Sequence, residues 1–417
     1  MKYSKFKDVT KFKFIKNTVL LFVIVLLSCG NYLTSQNPKN IIVGANQTAA
    51  YLPYLEGKNI GIIANQTSVI FKSKSDSTET KSYNKSTYTH LVDSLLSMGV
   101  QVKKVFAPEH GYRGTSDAGE YVKNGVDIKT GLPIVSLYGK NRKPDQKYLK
   151  DLDVVIFDVQ DVGARFYTFT STLHYIMEAC AEANITVIVL DRPNPNGHYV
   201  DGPILDLKYS SFVGMHPIPI VHGMTIGEYA LMINGEGWLN NSVTCDLQVI
   251  PMKNYDREVS YDLPIIPSPN LPNSKSINLY PSLCLFEGTN VSVGRGTDQQ
   301  FQVFGSPDLD PKIFEFKFVP EPKTGAKYPK HNLTQCYGKN LKQTELLGKI
   351  QLEWLIKAYQ NTADPSNFFN SFFTKLAGTT TLQKQIESGL SLELIRKSWE
   401  KGLIDFKSIR SDYLLYR

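Results

Sequence analysis

Val100-Gln101-Val102-Lys103-Lys104-Val105-Phe106 runs into Ala107-Pro108-Glu109-His110-Gly111-Tyr112-Arg113-Gly114. The first seven residues have the alternation of a strand. Pro108 stops it, and an acid, an imidazole, a phenol and a guanidinium follow between Glu109 and Arg113. Gly111 and Gly114 allow a tight turn, because glycine tolerates positive φ. In an open parallel α/β sheet, ligands gather beyond the carboxyl ends of the strands. Glu109 therefore stands where such a fold does chemistry. Taken alone, the acid–histidine pair would better suit a surface turn with a salt bridge; the rest of the chain reverses that.

The neighbouring segments repeat the same design. Asn59 to Ala64 reads as a strand ending in Asn65-Gln66-Thr67-Ser68. A polar insertion from Lys72 to Lys85 reads as an exposed loop, and Thr89 to Met98 has helical spacing. Asp153 to Phe157 is a continuous apolar run ending in Asp158-Val159-Gln160-Asp161-Val162-Gly163-Ala164-Arg165. Ser171 to Ala183 reads as a helix, and Thr186 to Leu190 as a strand ending in Asp191-Arg192-Pro193-Asn194-Pro195-Asn196-Gly197. Apolar strands alternating with helices predict a Rossmann-like, doubly wound, mostly parallel sheet. Four polar strand ends on one sheet edge predict a polar crevice there.

The order of residues also excludes some chemistries. No G-x-G-x-x-G follows the first strand and no G-x-x-x-x-G-K-[ST] occurs, so the topology implies neither a dinucleotide nor ATP. H-E-x-x-H and G-x-S-x-G are absent as well. Asp158, Asp161, Asp191 and His110 could hold a metal, but their spacing selects none. No cofactor is expected.

Beyond about residue 205 the character changes. His222-Gly223-Met224 precedes a helix from Ile226 to Ile233, with Thr225 and Glu228 as a capping box. Pro264 to Pro272 reads as extended. Leu279 to Phe286 reads as a further strand, ending in Glu287-Gly288-Thr289-Asn290 and Gly294-Arg295-Gly296-Thr297. Helical segments are expected around Thr344–Tyr359 and Leu392–Trp399. The expected organisation is a Rossmann-like domain over 41–205 and a smaller C-terminal α/β domain with a helical tail over 206–417.

The N-terminus reads as a targeting segment. Six lysines precede the apolar run Thr18–Leu27, which is shorter than the roughly 20 residues of a membrane span. Leu26-Leu27-Ser28-Cys29 resembles a bacterial lipobox, with Cys29 as the lipidated residue. Residues 1–28 would then be a signal peptide and 29–40 a tether. The expected location is exported and membrane-anchored, facing the periplasm or the cell surface. Without those six lysines and Asp8 the formal charge of +7 falls to +2, so nothing argues for nucleic acid. Cys180, Cys245, Cys284 and Cys336 are far apart, which argues against a zinc site; Cys180 and Cys284 read as buried thiols, and a disulfide stays open.

Five blocks carry a resemblance. They are Pro108-Glu109-His110-Gly111, Asp158 through Thr168, Asp191-Arg192-Pro193-Asn194-Pro195, Pro267 through Pro272, and Phe286 through Ser292 with Gly294-Arg295-Gly296-Thr297. In that order they resemble the exo-β-N-acetylmuramidase NamZ family, from about residue 41 to the end. The resemblance implies two α/β domains with the active site in the cleft between them. It implies release of terminal N-acetylmuramic acid from the non-reducing end of peptidoglycan fragments. It also makes Glu109 the leading catalytic candidate.

Glycoside hydrolysis needs a protonated acid at the leaving oxygen and a group that handles the far face of the anomeric carbon. Glu109 suits the acid, with His110 and Tyr167 orienting it or the sugar. Asp161 and Glu287 are candidates for the second group, and the substrate's own 2-acetamido oxygen is a third. Muramic acid carries a lactyl carboxylate, so the site should present a guanidinium; Arg113, Arg165, Arg192 and Arg295 all lie in the loops. Gln160, Asp191, Asn194, Asn270 and Asn290 are suited to sugar hydroxyls, and His222 is a candidate to line the cleft. Two other readings stay open: a cell-wall-sugar-binding lipoprotein without turnover, and a metal-dependent hydrolase.

Overall fold

The computed structural model describes residues 40–72, 87–113, 124–139, 141–259 and 261–417. The signal segment, the lipobox with Cys29, most of the Lys72–Lys85 insertion and Gly114 lie outside the described residues. Residues 42–417 make one compact unit.

Among the described residues, nine strands come before residue 251: β1 Ile60–Ala64, β2 Val69–Phe71, β3 Tyr88–His90, β4 Val102–Ala107, β5 Gly125–Val126, β6 Pro133–Ser136, β7 Val154–Asp158, β8 Thr186–Leu190 and β9 Leu247–Ile250. Seven of them form one sheet in the order β5-β6-β4-β1-β7-β8-β9. Every neighbouring pair is parallel except β5–β6. From β1 the chain steps outward to β4 and β6, crosses back to β7, and steps outward again through β8 and β9. This is the Rossmann strand order, with its switch point between β1 and β7. The last strand comes from beyond residue 205.

Parallel strands must be covered on both faces, and these are. Ile60, Ile62 and Ala64 of β1 and Val154 and Ile156 of β7 join one core, which also holds Leu91, Val92 and Leu95 of helix α1 (Leu91–Ser97). Ile63, Val155 and Phe157 point the other way, onto Leu173, Ile176, Met177 and Cys180 of α2 (Phe169–Ala183) and onto α3 (Ile226–Gly235). Each such buried side chain contributes roughly 1.5–3 kcal/mol. The predicted capping box starts α3: Thr225 Oγ1 accepts from the Glu228 amide, and the Glu228 carboxylate accepts from the Thr225 amide. Asp191 at the end of β8 also accepts from the Gly227 amide.

The C-terminal domain is smaller. Its antiparallel sheet has the order β10 (Val303–Ser306), β12 (Cys336–Asn340), β11 (Phe316–Phe318). It is surrounded by α4 (Ser274–Leu283), α5 (Glu353–Gln360), α6 (Phe372–Ala377) and three helices at the end of the chain. The strand expected over Leu279–Phe286 is instead the end of α4 followed by a 3₁₀ turn, Cys284–Gly288. A short apolar run does not separate strand from buried helix. The deciding signal is Asn273, whose side chain accepts from the Ser276 amide and starts the helix. The helix expected from Thr344 starts only at Glu353. Cys180, Cys245, Cys284 and Cys336 are all buried free thiols.

Candidate active site

Four strand ends of the large sheet supply the candidate residues, and two flank the switch point. After β1, Asn65, Thr67 and Ser68 are buried. After β7, the Gln160 amide donates to Thr67 Oγ1 at 3.0 Å, and Ser68 Oγ donates to the Asp158 carbonyl. These bonds pin the two loops together where a crevice is expected.

Glu109 lies after β4, beside β1. The chain turns sharply behind it: His110 and Gly111 have φ of 72° and 77°, and the Gly111 amide donates to the Pro108 carbonyl at 3.0 Å. A histidine in this region is strained, and such strain persists where the surroundings fix it. His110 is buried, while Glu109 is only half-buried. Thr168 Oγ1, at the start of α2, donates to Glu109 Oε2 at 2.7 Å. The Tyr138 hydroxyl, just past β6, holds the same carboxylate. That contact and burial push the Tyr138 phenol pKa up, burial being the larger cause.

Asp161, in the loop after β7, is in different surroundings. Its Oδ2 accepts from the Gly163 amide at 2.7 Å, and its Oδ1 is buried with no partner among the described residues. Gly163 has φ 76°, and a Cβ there would meet Asn194 Oδ1 at 2.2 Å, so only glycine fits. Burial pushes the Asp161 carboxyl up to about 7. His222 Nε2 lies 3.9 Å from Asp161 Oδ2 and is also buried without a hydrogen-bond partner among the described residues. The Met224 amide donates to His222 Nδ1 at 3.2 Å, which leaves the proton on Nε2. Burial pushes His222 down to about 3. Tyr167 joins the two regions. Its hydroxyl donates to the Pro267 carbonyl at 3.0 Å, and its pKa is raised by burial first, then by Asp161 and Glu109.

The structure thus brings Glu109, Tyr167, Asp161 and His222 into one neighbourhood. Other candidates have internal partners. Arg113 pairs with Asp127 at 2.8 Å and with Asp93 at 3.5 Å. Arg192 makes a buried two-pronged pair with Asp158, at 2.6 and 2.9 Å. Arg165 is fully buried and donates to the carbonyls of Pro203, Ile218, Leu376 and Ala377, tying the large sheet's loops to α6. Arg295 holds Glu287 at 2.6 and 3.2 Å. Asp191 accepts from Thr225, Gly227 and Tyr416. Gln160 donates to the Asp161 and Pro193 carbonyls, and Asn194 to that of Met224. Asn270 donates to the Gly325 carbonyl and Asn290 to Asp308, and each keeps a buried side-chain oxygen without a partner among the described residues.

Sequence reading missed Thr168, Tyr138 and Lys330. Thr168 stands inside one of the five blocks, and Tyr138 lies just past a four-residue strand, Pro133–Ser136, that is too short to be recognised. Lys330 donates to the Thr289 carbonyl at 2.5 Å and to the Val291 carbonyl at 3.1 Å, and burial pushes it down to about 8.

A half-open carboxylate and a sealed carboxyl stand at one edge of a doubly wound α/β sheet, and a pair of carboxyl groups is what glycoside hydrolysis uses. The chain belongs to the exo-β-N-acetylmuramidase NamZ family. The model of that family's N-terminal part matches residues 60–275, through β9, and that of its C-terminal part matches residues 278–416. The peptidoglycan β-N-acetylmuramidase NamZ of Bacillus subtilis (strain 168) is 39% identical over 386 residues, 88% of this chain and 89% of its own. Two crystal structures of DUF1343 family proteins from Bacteroides fragilis NCTC 9343 share the fold. One has a TM-score of 0.80 at 46% identity, covering 91% of this chain and 99% of its own. The other has 0.77 at 28% identity, covering 90% and 99%.

Proposed function

We infer that this chain is an exo-acting glycoside hydrolase that releases terminal N-acetylmuramic acid from the non-reducing end of peptidoglycan fragments. The observation that carries the reading is Glu109, a half-buried carboxylate braced by two hydroxyls on the β4 edge of the switch point. Glu109 delivers a proton to the leaving glycosidic oxygen. Asp161, with one carboxyl oxygen unclaimed, is the second carboxyl of the site. Tyr167 sits in electrostatic reach of both.

The test is hydrolysis of a chromogenic β-N-acetylmuramide and its N-acetylglucosaminide counterpart. The wild type should turn over only the muramide, and Glu109→Gln should lower kcat by about 10²–10⁴-fold, the usual weight of a general acid. Normal turnover by Glu109→Gln would sink the assignment. A folded wild type that binds the sugar without turnover would favour a binding role.

We further propose that Cys29 carries a lipid and holds the enzyme at a membrane surface, on the evidence of Leu26-Leu27-Ser28-Cys29. Cys29→Ser in the full chain should move the protein from the membrane to the soluble fraction of a bacterial host. Unchanged membrane retention would end this reading.

A further inference from the structure

We propose that Arg142 is the residue that reads the lactyl carboxylate of muramic acid, and so sets the preference over N-acetylglucosamine. This rests on the muramidase reading above. The two sugars differ by a lactyl ether whose carboxyl is ionised at neutral pH, and a fixed guanidinium is the side chain best matched to a carboxylate.

The arginines of the sequence blocks are spoken for. Arg113 and Arg192 lie on aspartates, Arg295 on Glu287, and Arg165 is sunk among backbone carbonyls. Nearby lysines are tied as well: Lys143 to Glu178 and Glu182, and Lys104 to Asp151. A carboxylate ligand would have to displace a protein acid at each of these, or backbone carbonyls at Arg165.

Arg142 differs on each count. It is exposed, and among the described residues no acid lies within ion-pair distance of it. It is nonetheless held in place, with its guanidinium carbon 4.4 Å from the centre of the Phe212 ring. Phe212 is buried, with Tyr138 tilted against it at 6.3 Å and Tyr175 stacked on it at 6.3 Å. Tyr138 is the phenol that holds Glu109, and the Arg142 charge acts on that phenol. One aromatic bridge therefore joins the proton-delivering carboxylate to a free guanidinium. An arginine with its guanidinium carbon over a ring still has N–H groups for a ligand and has already lost some of the freedom that binding would remove.

The experiment compares the full-length wild type with Arg142→Ala and Arg142→Lys on three substrates. These are the chromogenic β-N-acetylmuramide, its lactyl methyl ester and the β-N-acetylglucosaminide. Arg142→Ala should raise KM for the muramide by about 10–100-fold, the scale of a lost charge-assisted hydrogen bond, with a much smaller change in kcat. It should also bring kcat/KM for the muramide down to that of the methyl ester, erasing the wild type's discrimination. Arg142→Lys keeps the charge without the fork and should fall between the two. If the wild type is active and both variants keep its KM and its preference for the free acid, Arg142 is not the reader, while the muramidase reading stands. A wild type that hydrolyses none of the three overturns both.

Discussion

The two carboxyl groups of the site are built in opposite ways. Glu109 is half-open to solvent and accepts from the hydroxyls of Thr168 and Tyr138. Asp161 is almost fully buried, accepts from a backbone amide on one oxygen and leaves the other without a partner among the described residues. The first environment supplies hydroxyl donors to the carboxylate. The second withholds them, and burial raises the cost of charge. What separates the two is the course of the chain after the strand. Glu109 follows β4 by two residues and stays at the sheet's rim, while Asp161 is folded back under a glycine turn and faces His222.

The largest effect that would break this contrast concerns the Asp161–His222 pair. Unfolded, an aspartate keeps its proton only below about 4, while folded Asp161 keeps it up to about 7. Between those values the native state binds more protons, so this group's share of stability falls as pH rises and levels off above 7. His222 does the reverse, being held down to about 3 by burial. Its share rises with pH up to its unfolded value near 6.5. Each group spans roughly three units, which bounds its effect at about 4 kcal/mol. In the wild type the two slopes oppose each other. In Asp161→Asn the difference in unfolding free energy, variant minus wild type, should therefore climb from pH 4 to 7. In His222→Gln it should fall from pH 4 to 6.5. Denaturant melts at three pH values measure both, and the other buried histidines cancel in the difference. Two flat differences would mean that the pair is charged inside the fold and that the contrast with Glu109 is wrong.

Much of that contrast was out of reach of the sequence, and the reasons are physical. The parallel strands were legible because a strand buried on both faces is a continuous apolar run, as residues 154–157 and 187–190 are. Their carboxyl ends then place Glu109 and Asp161 at one edge. The partners of a side chain are not legible in this way. Arg192 meets an aspartate 34 residues earlier, and Arg165 meets carbonyls 211 and 212 residues later. Nothing local marks them as occupied. Arg142, the guanidinium left free, sits in a plain polar stretch whose meaning comes from Phe212, far along the chain. Leu279–Phe286 failed for a different reason: burial on all sides removes the periodicity that separates helix from strand.

A smaller effect sharpens the other half of the contrast. If Glu109 works because hydroxyls hold it in place, Thr168→Val and Tyr138→Phe should each lower kcat by about 10-fold, the scale of one hydrogen bond to a charged group. Neither should approach the loss in Glu109→Gln, because the carboxyl is still present. A double-mutant cycle separates bracing from mere packing. In the Glu109→Gln background, Thr168→Val should cost almost nothing more, since the group it positions is no longer an acid. Equal losses in both backgrounds would show that Thr168 acts through the start of α2 rather than through Glu109. The rim carboxylate would then owe its position to its own turn at His110 and Gly111, and the resemblance in construction to Asp161, fixed by the turn at Gly163, would be closer than the difference.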